Sequence, residues 1–209
     1  MSQTFGKTRW KRFAVVMVPT IAATAAVGVS IAQGALAASF SVSGQEFKVS
    51  AATLHGDGFT QYGTVLTGTK TPTNPTGYDP VAVSGFNKAT IHSLCQSVDF
   101  PTPFGAYTLT IHAGDDAAHP VTATSLFIDM ADLKADTATF NNINIGVATA
   151  GITKGPVNPD QQTSPGGFAQ EADSADLTGV QQTAWATSAG TFSLNGMHLN
   201  LASGVHECF

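Results

Sequence analysis

Ser188 is the residue of this chain that comes nearest to a hydrolase nucleophile. It sits in Ala186-Thr187-Ser188-Ala189-Gly190, an A-x-S-x-G variant of the G-x-S-x-G elbow, with His198 downstream and Asp173 and Asp176 upstream. Small flanking residues are what allow the strained turn that exposes such a serine, and a histidine held by a carboxylate is what activates it. Ser188, His198 and Asp176 therefore form a candidate triad for ester hydrolysis. The competing reading is an exposed serine in a β-turn, because Gly190-Thr191-Phe192-Ser193-Leu194 reads as strand or turn and not as the helix start that the elbow requires.

A second cluster has the makings of a metal site. His112, Asp115, Asp116 and His119 lie within eight residues, a mixed nitrogen and oxygen donor set that suits a transition metal, or Ca²⁺ through the aspartates alone. Gly114-Asp115-Asp116 between two strands is equally an ordinary hairpin turn, in which short acidic side chains bond their own backbone. The other histidines, His55, His92 and His206, are scattered through strand-like sequence. No glycine-rich phosphate loop or dinucleotide fingerprint is present, and no cofactor is expected. The only two cysteines, Cys95 and Cys208, are expected to form a disulfide that ties the C-terminus to the middle of the chain.

The elements that must position these groups read as strands. Tyr107, Leu109 and Ile111 alternate with Thr108, Thr110 and His112, and Met197, Leu199 and Leu201 alternate with His198 and Asn200. Such period-two patterns mark half-buried strands, with the apolar set expected inside. Further strands are expected over 40–43, 47–54, 81–86, 90–98, 121–130, 139–147 and 183–193. The fold class is all-β, an antiparallel β-sandwich, a β-roll or a short β-solenoid, preceded by an N-terminal signal or anchor helix. The solenoid option comes from a weak repeat: Ala131-Asp132-Leu133 and Ala175-Asp176-Leu177 are each followed by a polar stretch, a Thr-Phe pair and a strand-like segment. Residues 67–80 and 151–170 collect proline, glycine and asparagine and read as long loops, functional or mobile. Phe127, Ile128, Met130, Phe140, Ile143 and Ile145 could line a groove for an acyl chain or sterol, or simply fill the core.

Charge narrows the partners. Only 11% of the 209 residues are charged, against roughly 25% in typical soluble domains. Four of the nine basic residues (Lys7, Arg9, Lys11, Arg12) stand in the first twelve positions, so the body holds five lysines against fourteen acidic residues, a net charge near −9. With no arginine and no basic stripe, the body is not expected to bind nucleic acid. Phe13–Ala38 then runs without charge and contains Ala35-Leu36-Ala37, the pattern of a secretory signal cleaved before Ala38. Residues 1–37 are accordingly a signal peptide, or a membrane anchor if retained, and 38–209 a single exported β domain, secreted or held at the cell surface. A lipid or sterol ester, a membrane surface or a membrane protein are the partners that such a low-charge exported domain suggests.

Several segments together resemble a known group. The basic start and Ala-rich signal, Leu94-Cys95, the stretches IDMADL (128–133) and NINIG (142–146), GGFAQEAD (166–173), QTAWATSAGTF (182–192) and the terminal Glu207-Cys208-Phe209 resemble a family of small exported proteins of unknown function from high-GC Gram-positive bacteria. Some members carry the label cholesterol esterase. The resemblance implies hydrolysis of a sterol ester at a lipid surface and transfers no catalytic motif onto these positions.

Overall fold

The computed structural model describes residues 45–67, 77–103 and 105–209; the expected signal or anchor segment, the strand at 40–43 and most of the loop 67–80 lie outside them. Ten strands follow in order: β1 (Phe47–Thr67), β2 (Tyr78–His92), β3 (Leu94–Thr102), β4 (Gly105–Ala113), β5 (Val121–Lys134), β6 (Thr137–Asn141), β7 (Asn144–Ala148), β8 (Phe168–Ser188), β9 (Thr191–Ser193) and β10 (His198–Ser203). One 3₁₀ turn, Thr149–Gly151, is the sole helical element among the described residues. Every pairing is antiparallel and all ten strands belong to one sheet.

Four strands close a ring. β1 pairs with β2 along one edge and with β8 along the other, β2 pairs with β5, and β5 pairs with β8. None of the four presents an open edge over its shared span, which removes the templating hazard of strands as long as 21 residues. The all-β, antiparallel expectation is met by one sheet closed on itself, not by two facing sheets. Nor do the two Ala-Asp-Leu units stack in parallel as in a solenoid. They exchange: β6, which follows the first unit, pairs with β8 at the second, and β9, which follows β8, pairs back onto β5.

Side chains on the two faces of the ring make two cores. Leu54, Phe59, Phe86, Ile128, Met130 and Val180 belong to the larger. Phe59 and Phe86 are direct cross-strand partners with ring centroids 5.5 Å apart, and the Phe140 ring packs tilted against Phe59 at 4.9 Å. Gly56 makes this possible, since a Cβ there would fall 2.1 Å from the Phe86 ring. Tyr62, Leu66, Val81, Val83 and Phe127 form the smaller core on the opposite face.

The chain 151–167 lies across that second face as a strap. Thr60 Oγ1 donates to the Pro156 carbonyl (2.6 Å) and Thr64 Oγ1 to the Gln162 carbonyl (2.7 Å). The Tyr62 hydroxyl accepts the Asn158 amide (2.9 Å) and donates to Gln161 Oε1 (3.3 Å), while Gln161 Nε2 donates to the buried Asp129 (2.7 Å). Glu171 fixes the start of the strap by accepting the amides of Thr153 (2.6 Å) and Lys154 (2.8 Å) and the Asn144 side chain (3.1 Å). The stretch 151–170, expected to be a long loop, functional or mobile, is a packed cover up to residue 167, and its last residues, from Phe168, already belong to β8.

Beyond the ring, β3, β4 and β10 extend the sheet as a flap. β2 and β3 share one unshifted register against β1, from Thr67↔Tyr78 to Lys48↔Ser97, and bend at Ser93, whose φ is 51°. The Ser93 amide donates to the Gly114 carbonyl at 2.9 Å, holding the bend. Burial on the flap inverts the expected pattern. Thr108 and Thr110 are buried, whereas Leu199 and Leu201 are 53% and 59% exposed and Tyr107, Leu109 and Ile111 are only half-buried. The reason is the C-terminal tail, which covers the hydroxyl face. The His206 amide donates to Thr108 Oγ1 (2.9 Å), the Cys208 amide to Ser97 Oγ (3.0 Å), Lys48 pairs with Glu207 (2.6 Å), and Cys95–Cys208 is a disulfide with Cα atoms 5.9 Å apart.

Candidate functional site

The larger core does not fill its space. A partly open cavity of about 220 Å³ is lined by side chains from all four ring strands, joined by Ala135, Ala138 and Phe140 from β6 and the turn before it. Its wall is mostly apolar, with Phe59, Phe86, Ile128, Met130, Leu133 and Leu177 among the lining residues. Ala138 is solvent-exposed, which places the mouth beside β6. Three polar side chains, Gln61, Ser84 and Gln182, interrupt the apolar lining. Gln61 Nε2 donates to Ser84 Oγ (3.2 Å) and its carbonyl oxygen accepts from Gln170, so both ends of the Gln61 amide are tied.

A smaller recess shares Leu54, Ile128, Val180 and Gln182 with this cavity and reaches Val49 and Gln96 at the root of the flap. An apolar cavity with a few fixed polar groups is the usual form of a small-molecule site. At 220 Å³ it is smaller than the roughly 300–1,000 Å³ of sites for drug-sized ligands, and it suits a slim unbranched tail better than a fused-ring sterol.

Of the six residues expected to line a groove, Ile128, Met130 and Phe140 do so. Phe127 follows Ile128's neighbour rule in reverse: adjacent strand residues face opposite ways, and it belongs to the core under the strap. Ile143 packs against the larger core and Ile145 is exposed. Sequence reasoning missed Phe59, Phe86, Gln61, Ser84 and Gln182. A clue was available in the two Gly-Phe pairs, Gly58-Phe59 and Gly85-Phe86, because glycine in a strand often marks close approach of an aromatic ring or another backbone.

The candidate triad is not assembled. Ser188 ends β8 opposite Phe127, Asp176 lies twelve positions earlier on the same extended strand, and His198 opens β10 opposite His112. Twelve strand residues span about 40 Å. Asp176 has a different partner, His55, whose Nδ1 is 2.6 Å from its carboxylate, and Asp57 stands 3.5 Å from the other ring nitrogen. The hydrogen bond that His55 donates to Asp176 raises the His55 pKa above its ordinary value against a smaller opposing effect of burial. Both nitrogens of this half-exposed imidazole face carboxylates, so it has no hydroxyl to activate.

The expected metal cluster is divided in the same way. Asp116 accepts from His119 (2.7 Å) and from the Ala118 amide (2.9 Å), closing a turn, and the His119 bond holds its carboxyl below the usual range. His112 lies back on β4, 3.8 Å from the Cys95 sulfur, while Asp115, Asp116 and His119 line a shallow surface depression without it. Among the described residues no three His, Cys, Asp or Glu side chains converge as a metal site.

Residues 43–209 match the model of a family of unknown function, DUF6230, and the chain belongs to that family. No curated protein and no solved structure matches it.

Proposed function

We propose that this member of a family of unknown function is an exported, non-catalytic lipid-binding protein that takes one apolar tail into the cavity between β6 and the strand ring. The observation that carries the reading is the cavity itself: about 220 Å³, walled by phenylalanine, isoleucine, leucine and methionine, with the Gln61–Ser84 pair and Gln182 as its polar groups. Apolar cavities of this size hold apolar ligands in preference to water. Support for export comes from the basic cluster Lys7–Arg12, the uncharged run Phe13–Ala38 with its Ala-x-Ala site, and a pair of cysteines joined as a disulfide, a bond typical of oxidising compartments.

The test is solvent extraction of the purified protein followed by mass spectrometry, together with displacement of a fluorescent fatty acid. A co-purifying single-tail lipid, and probe binding weakened about tenfold or more by Ala138→Phe at the cavity mouth, are expected. An empty extract with no probe binding sinks the reading. Turnover of a cholesteryl or aryl ester that is lost in Ser188→Ala would replace it with the sterol-esterase function that the family resemblance implies.

A further inference from the structure

Among the described residues, none covers the face of β3, β4 and β10 opposite the tail, where Leu199 and Leu201 are exposed. Cross-strand partners share a face, so the register places Val98, Leu109 and Leu201 in one row, Gln96, Ile111 and Leu199 in the next, and Phe100 beside Tyr107 at the hairpin end. No charged residue stands on it. Its exposed leucines and Phe100 make a contiguous apolar patch, a kind of surface that often serves in interactions.

Two observations bear on the partner. First, three strands ~4.8 Å apart and five residues at ~3.4 Å each make a face of roughly 250 Å², well short of the roughly 800 Å² per partner that a stable dimer buries. A body of net charge near −9 also repels its own copy. Secondly, the face runs on into the protein: Val49, Gln96, Ile111 and Leu199 are successive cross-strand partners, and Val49 and Gln96 line the recess that adjoins the cavity.

We infer that this face docks on an uncharged lipid surface, with Leu199, Leu201, Leu109 and Phe100 entering the headgroup boundary. The inference goes beyond the cavity reading, since docking needs no tail to enter the cavity.

The unit 41–209 contains every described strand, both cores and the disulfide, and serves for the test. Flotation with phosphatidylcholine vesicles is expected to carry it upward. The double substitution Leu199→Asp with Leu201→Asp is expected to weaken partitioning at least about tenfold, with thermal unfolding unchanged because both side chains are exposed. Adding an anionic lipid is expected to weaken binding at low salt, because the body is acidic. Absence of flotation, or flotation that the double substitution leaves intact, overturns the proposal. A dimer in sedimentation that the same substitution dissolves also overturns it and reassigns the face to a second copy. Probe displacement from the cavity is a separate measurement, so failure of docking and failure of tail binding are told apart.

Discussion

The ring and the flap are built from the same alternating sequence pattern, yet they bury opposite faces. In the ring, Phe59, Phe86, Ile128 and Met130 turn inward to a shared core, and the other face is covered as well, by the strap. In the flap, threonine and serine are buried and leucine faces out. The comparison teaches that alternation specifies two distinct faces but not which one is covered. Closure of strands decides it in the ring, and a disulfide-tied tail from the far end of the chain decides it in the flap.

The largest expected contrast comes from truncating one apolar residue in each region. Phe59 is 3% exposed and touches two other rings, so Phe59→Ala is expected to cost about 3–5 kcal/mol. Leu201→Ala removes an exposed side chain and is expected to stay within about 0.5 kcal/mol. Denaturant unfolding of the two variants measures both. Similar losses would mean that the flap face is covered in the folded protein and that the contrast between the regions is false.

Cutting the tie that holds the tail is the next largest step. Cys95 and Cys208 are 113 positions apart, and closing a loop of that order is worth up to ~4.7 kcal/mol in the chain-entropy model, with about 2–4 kcal/mol typical. Cys208→Ser is expected to lose an amount in this range and, more tellingly, to speed amide exchange in β3, β4 and β10 while the ring strands keep their protection relative to global stability. Thr108 and Ser97 would lose the amides that now satisfy them. Uniform loss of protection across all ten strands would show that tail and ring unfold as one unit and that the flap has no separate identity.

How much of this was legible follows from where each instruction lies in the chain. Strand type is local, so β4, β5 and β10 are readable from their own alternation, and the lone cysteine pair announces its bond. β8 is longer than its sequence suggests. Its first half, Phe168–Leu177, is carried by Ala169, Ala172 and Ala175, all fully buried, and alanine has little strand propensity of its own. Pairing with β1 on one side and β7 and β6 on the other makes it a strand. The cavity was half legible: Ile128, Met130 and Phe140 stand out by type, but Gln61, Ser84 and Gln182 meet only after strands far apart in sequence have closed. The proposed triad and metal cluster rested on nearness in sequence, and an extended chain separates near neighbours quickly. Asp176 and Ser188 on one strand show this most plainly.

The smallest effect expected concerns how dry the strap keeps the face that it covers. Asp129 is buried beneath it, and burial raises its pKa above the ordinary carboxylate value, against the weaker opposing effect of the Gln161 hydrogen bond. A carboxyl raised in the folded state binds its proton more tightly there than in the unfolded chain. Its contribution to stability is therefore complete below the unfolded value near ~3.9 and is lost as pH rises through the folded value. Asparagine keeps an oxygen for Gln161 to donate to and cannot ionise. Asp129→Asn is thus expected to be at least as stable as the parent at pH 7, by up to about 1 kcal/mol, and to lose that advantage as the pH is lowered toward 4. Thermal unfolding of both proteins across this range reads the difference. If the two curves stay parallel, water reaches Asp129 through the strap, and the strap is a looser cover for its face than the disulfide-tied tail is for the flap.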